Sequence, residues 1–207
     1  MDTRPPTQAI AEFKRPTGLA FRLGKIGHVA LYVADLERSA RFYTQVLGFS
    51  ISDVYGEDRM PGGAVFLRLN ADHHGIALFK ASEAGNADTG PGGGKTGGGE
   101  TGHAGLHHTA FEVATLDEVV RARDHLRAHD VAIDFAGRRR AGVQIAVEFR
   151  DPDGHRLEIY WGIDQIGSDG RARPPEEWKG AQSLEAAIAD PVIGQDTTLA
   201  DPSLLRD

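Results

Sequence analysis

The sequence predicts an α+β fold in which two βαβββ modules form an open barrel-like sheet with the helices outside. Three observations carry this expectation. Residues 26–34 return eighty positions later as residues 106–114 without a gap, a histidine standing at the same place in each, His28 and His108. The match runs on through Leu36 and Leu116, the acids Glu37 and Asp117, and Arg41 and Arg121. The two copies also close alike, residues 72–79 answering residues 153–160, so one structural unit is present twice.

The elements follow in order. Residues 1–23 mix Pro, Thr and charge without a period and read as an N-terminal arm. Over residues 25–33, Val29, Leu31 and Val33 alternate with His28, Ala30 and Tyr32, the period of a half-buried strand. Asp35 can cap a following helix, where Leu36, Ala40, Phe42, Tyr43, Val46 and Leu47 recur at helical spacing until Gly48. Short strands over 51–55, 64–69 and 75–79, separated by Gly, Asp and Asn, complete module one, residues 24–84. Residues 85–104, rich in Gly and Thr, read as a flexible linker. Their Gly94-Lys95-Thr96 lacks the earlier glycine of a phosphate loop, since Thr89 stands there. Module two, residues 105–162, repeats the order: strand 106–114, helix 116–129, then strands 131–135, 143–149 and 156–161. Asp151-Pro152-Asp153-Gly154 forms a tight turn before the last strand. In the tail, residues 163–207, Trp178, Leu184, Ala187 and Ile188 suit one short amphipathic helix, packed on the body or on a partner subunit.

Composition narrows the function. A net charge of −7 over 207 residues gives no electrostatic footprint for nucleic acid. The one basic run, Arg138-Arg139-Arg140, reads as a solvated loop. No apolar stretch is long enough to span a bilayer, and the N-terminal stretch with Pro5, Pro6 and Glu12 has no signal-peptide core. A cytoplasmic homo-oligomer without nucleic-acid or membrane partners is therefore expected. With no cysteine, any metal must be held by His, Asp or Glu.

The comparison of the two copies carries the chemistry. In each first strand the large apolar residues take one face, and the other carries His28, Ala30, Tyr32 or His108, Ala110, Glu112. In the last strand Glu158 and Tyr160 take the open side. Two histidines and a glutamate, His28, His108 and Glu158, thus project onto one concave surface, a set that holds a divalent metal on one face and leaves positions open. Glu158 aligns with Ala77, fifty residues after His108 against forty-nine after His28. His107 has no counterpart, because Gly27 stands there, and His103, His125 and His129 read as linker or helix-surface residues.

These stretches, with Phe42-Tyr43, Leu47-Gly48-Phe49 and Asp151-Pro152-Asp153-Gly154-His155-Arg156-Leu157-Glu158, resemble the vicinal oxygen chelate superfamily over about residues 24–162. The resemblance implies paired βαβββ modules around a metal site, as in glyoxalases and extradiol dioxygenases. Glyoxalase-type isomerases commonly add a fourth ligand, a glutamate where this chain has Ala77. Its absence is closer to single-domain type I extradiol ring-cleaving dioxygenases. That branch implies a metal, Fe(II) or alternatively Mn(II) or Zn(II), on His28, His108 and Glu158, with an aromatic diol and dioxygen as substrates. It also implies an acid–base histidine at His74, with His73 as the alternative because 74 and 77 differ in strand parity. Where the branch commonly has a tyrosine and a histidine, this chain has Glu148 and the run at 138–140, of which Arg139 is the expected replacement for stabilising negative charge. The other readings are a glyoxalase-type isomerase, epimerase or lyase, a thiol transferase, and a small-molecule-binding resistance protein.

Overall fold

A computed structural model describes residues 10, 13–14, 17–18, 20–81, 105–167 and 171–205. The expected linker at 85–104 and most of the N-terminal arm lie outside these. Module one contains β1 (Val29–Val33), α1 (Leu36–Arg41), β2 (Ser50–Tyr55), β3 (Ala64–Arg68) and β4 (Ile76–Lys80). Module two contains β5 (Thr109–Glu112), α2 (Leu116–Ala128), β6 (Ile133–Arg138), β7 (Ile145–Arg150) and β8 (Arg156–Trp161). Each forms its own four-stranded mixed sheet, in the orders β1-β4-β3-β2 and β5-β8-β7-β6. In both, the first and last strands run parallel and the other pairs antiparallel.

Local chemistry explains the boundaries. Asp35 accepts a hydrogen bond from Arg38 N at 3.0 Å and starts α1, while Thr115 and Glu118 form a reciprocal capping box at α2. The helix expected to run unbroken to Leu47 changes after Arg41 into a π turn, Phe42–Val46, in which Leu47 N bonds to Phe42 O. Gly48, at φ +77°, then ends it. Both β2 and β6 carry a bulge, the ladder passing from Ile51 to Asp53 and from Ile133 to Phe135. The histidines expected inside strands stand just before them, since the two parallel ladders open at Val29 and Thr109.

One core joins the modules, with Leu31, Leu67 and Leu78 from the first and Val119, Val147 and Leu157 from the second all buried in it. The turn of module two grips α1: Asp153 accepts from Ala34 N, Arg38 Nη2 and Ser39 Oγ at 2.5–2.8 Å.

The tail packs on module two. Its helix α3 (Leu184–Ala189) buries Leu184 and Ala187, and Ala181 bridges to Arg138 at the free edge of β6. Gly137 makes this approach possible, because a Cβ there would lie 2.2 Å from Ala181 O. The solvated-loop reading of the arginine run fails at Arg138, which is 1 % exposed and ends β6. Its guanidinium donates to Ala187 O and to Asp190 O, the carbonyls at the end of α3, so the charge serves the helix terminus.

Candidate active site

The strand registers define the open face. Ala30 pairs with Ala77 on β1 and β4, and Ala110 pairs with Glu158 on β5 and β8. The residue two places after each histidine therefore faces position 77 in one module and 158 in the other. Ala77 and Glu158 are equivalent positions with different chemistry.

In module two, His108 Nε2 lies 3.1 Å from Glu158 Oε2, and Gln144 Nε2 donates weakly to Oε1 at 3.4 Å. The Glu158 side chain is only 2 % exposed, and burial pushes its carboxyl above the ordinary glutamate value. His107 Nδ1 sits 2.7 Å from His108 Nδ1, so His107 fixes the back of the ring that faces Glu158. Beside them, Glu148 pairs with Glu158 across β7 and β8. Arg139 binds Glu148 through Nε and Nη2 at 2.6 and 2.5 Å and lies 3.7 Å above the Phe135 ring.

In module one, the His28 ring is 4.6 Å from that of His74, which is 5.2 Å from Phe66. Burial, then the neighbouring His28 and His73, hold His74 below the ordinary histidine value. His74 precedes β4 and lies in the connecting loop, so the parity objection to it does not apply. His73 also reaches the open face, where it meets Asp53. An aromatic wall lines this half: Phe66 contacts Tyr55 at 5.1 Å and Phe79 at 6.1 Å, and Tyr32 contacts Phe79 at 6.4 Å.

The predicted site residues thus lie as two pairs, the proposed ligands His108 and Glu158 in one module and the proposed ligand His28 beside the acid–base candidate His74 in the other. Among the described residues no three His, Asp or Glu side chains are gathered into a metal cage. The donor chemistry of the site nevertheless fits a divalent cation. A deeply buried carboxylate, Glu158, lies against the imidazole nitrogen of His108, and a cation would offset the cost of burying it.

Sequence reasoning missed Asp53, His107, Gln144 and the wall formed by Phe66 and Tyr55. His107 carried no signal because its counterpart is glycine. Asp53 was hidden because only the bulge at β2 turns it onto this face.

The fold is that of a paired βαβββ protein, with His108 against Glu158 in one module and His28 against His74 in the other. The chain belongs to the Glyoxalase/Bleomycin resistance protein/Dioxygenase superfamily, which matches residues 25–159. It is 29 % identical over 160 residues to 3-methylcatechol 2,3-dioxygenase of Pseudomonas putida, covering 74 % of this chain and 48 % of that protein. It is also 29 % identical over 172 residues to biphenyl-2,3-diol 1,2-dioxygenase of Paraburkholderia xenovorans, covering 79 % of this chain and 51 % of that one. The chain spans about half the length of these curated relatives. A glyoxylase/bleomycin resistance protein/dioxygenase domain from Frankia sp. EAN1pec shares the fold, with a TM-score of 0.53, 24 % identity and coverage of 68 % of this chain and 99 % of that one.

Proposed function

We propose that this protein is a metal-dependent extradiol dioxygenase that opens the ring of a catechol-type aromatic diol with dioxygen. The observation that carries the reading is the asymmetry between Ala77 and Glu158 at equivalent register, which leaves two histidines and one glutamate as donors. His28, His108 and Glu158 would hold the metal, with Fe(II) the proposed ion. Bound there, a divalent metal supplies Lewis-acid chemistry and a template for two reactants at its open positions.

The chain's own residues supply the rest. The wall of Phe66, Phe79, Tyr55 and Tyr32 takes the flat face of an aromatic ring and keeps water from it. His74, beside His28 and Phe66, receives a proton from a diol hydroxyl and returns it later in turnover. His107 holds His108 by its far nitrogen and keeps Nε2 toward Glu158. Arg139 is bound in a fork by Glu148, which withdraws the free cation that would favour an isomerase acting on an anionic substrate.

The test is anaerobic purification with metal analysis, followed by oxygen uptake against catechol, 3-methylcatechol and 2,3-dihydroxybiphenyl. The iron-loaded protein is expected to consume oxygen and release a yellow ring-opened product. No uptake with any diol would sink the reading. Glu158→Ala is expected to remove bound metal and activity while the far-ultraviolet spectrum stays unchanged. Retained metal stoichiometry would count against Glu158 as a ligand.

A further inference from the structure

We propose that Asp53 and His73 form a bracket that fixes the tautomer of His74, so that its Nε2, the nitrogen outside the bracket, is left unprotonated. The proposal rests on the reading of His74 as the acid–base residue, and it makes Asp53 and His73 positioning residues for it.

Asp53 Oδ2 lies 3.0 Å from His73 Nε2, and an ionised carboxylate only accepts, so the proton of His73 sits on Nε2. A neutral His73 then has a lone pair on Nδ1. That atom is 3.0 Å from His74 Nδ1, which must therefore be the donor. With its proton on Nδ1, His74 keeps the lone pair on Nε2. A base that is to take a proton from a substrate hydroxyl needs its lone pair on the nitrogen left free by the orienting bond.

The backbone shows how Asp53 comes to this place. In β2 the ladder passes from Ile51 opposite Leu67 directly to Asp53 opposite Phe66. The bulge at Ser52 thus puts Asp53 on the face that Ser52 would otherwise occupy. Module two carries the same bulge but sets Phe135 opposite Glu148, so the bracket belongs to one copy alone. Phe66 contacts both histidine rings, at 6.1 and 5.2 Å, and closes the bracket from the sheet side. The Asp53 and His73 side chains are about half exposed, so their contact adds little stability, and orientation is its consequence.

The experiment reads tautomers directly. Long-range proton–nitrogen correlation spectra of the full ¹⁵N-labelled chain, metal-free and zinc-loaded, report which ring nitrogen carries each proton. The expected result is His73 protonated on Nε2 and His74 on Nδ1. Asp53→Ala should turn His74 into a mixture of tautomers, and Asp53→Asn, which keeps an acceptor oxygen, should restore most of the single form. In the iron-loaded protein, Asp53→Ala should lower kcat about tenfold or more with KM and metal content unchanged, and Asp53→Asn should recover most of it. A mixed His74 in the parent chain, or an unchanged His74 in Asp53→Ala, overturns the bracket. If no diol is turned over while the tautomers respond as expected, the dioxygenase reading falls and the bracket stands.

Discussion

Tyr43 ties the two modules through one hydroxyl. It is fully buried at the π turn and donates to Asp151 Oδ2 at 3.0 Å. Burial first, then the nearby Asp151 and Asp153 carboxylates, push the phenol far above its ordinary value, so it remains a donor at every working pH. Asp151 also accepts from His155 Nδ1 at 2.8 Å and from the amides of Asp153 and His155. Tyr43→Phe keeps the ring and its edge-to-face contacts with Phe42 and Phe49, but takes one donor from a buried carboxylate. The expected cost is about 1.5–3 kcal/mol, read from the urea midpoint. Metal content should not change, since Tyr43 lies on the helix side of the sheets. Loss of metal without loss of stability would contradict that placement.

The C-terminal tail shows the same dependence at the scale of an element. Asp117, in the first turn of α2, accepts from Ala200 N at 3.0 Å and Asp201 N at 2.7 Å. Burial alone would raise its carboxyl, but these amide donors outweigh it and hold the group below the ordinary 3.8. Because the folded value is depressed, the stabilisation is fully present above 3.8 and is lost as pH falls through the depressed value. Amide protection at Ala200 and Asp201 should therefore hold at neutral pH and fade below that window. Asp117→Asn, with one acceptor oxygen for two donors, should lose it at neutral pH already. Hydrogen exchange resolved at these amides checks both outcomes, and equal protection in the variant would sink the account. This element also marks where the sequence stops being readable. Caps, turns and strand periods are local, so Asp35, Gly48 and the strands of both copies could be read from composition and spacing. Arg138 looked solvated because its partners, Ala187 and Asp190, are about fifty residues away and no short-range pattern links them. The bulges at Ser52 and Asp134 were equally hidden, since one extra residue reverses which side chains face the site.

At the scale of the molecule, duplication sets the fold of both halves, and the difference between the copies is what the proposed chemistry rests on. The candidate residues His28, His108, Glu158 and His74 were named from the repeat and the resemblance, whereas the contacts of His107 with His108 and of His73 with His74 join adjacent residues whose ring geometry no period encodes. The equivalence of positions 77 and 158 makes the reading testable by restoring the missing symmetry. Ala77 pairs with Ala30 as Glu158 pairs with Ala110, and Glu158 meets His108 at 3.1 Å. A glutamate at 77 would reach His28 in the same way and displace the His74 ring that now rests there. Ala77→Glu should therefore bind zinc about tenfold more tightly in competition with a chelator, a gain of about 1.4 kcal/mol. It should also lose oxygen uptake, because a fourth protein donor fills an open position and His74 is moved from its place. The metal-free variant should be less stable, since Ala77 is buried opposite Phe66 and a longer side chain overpacks that layer by about 1–3 kcal/mol. Zinc should reverse that loss by binding the folded form. If zinc affinity is unchanged and uptake persists, the two copies do not share a metal site in the way their registers imply.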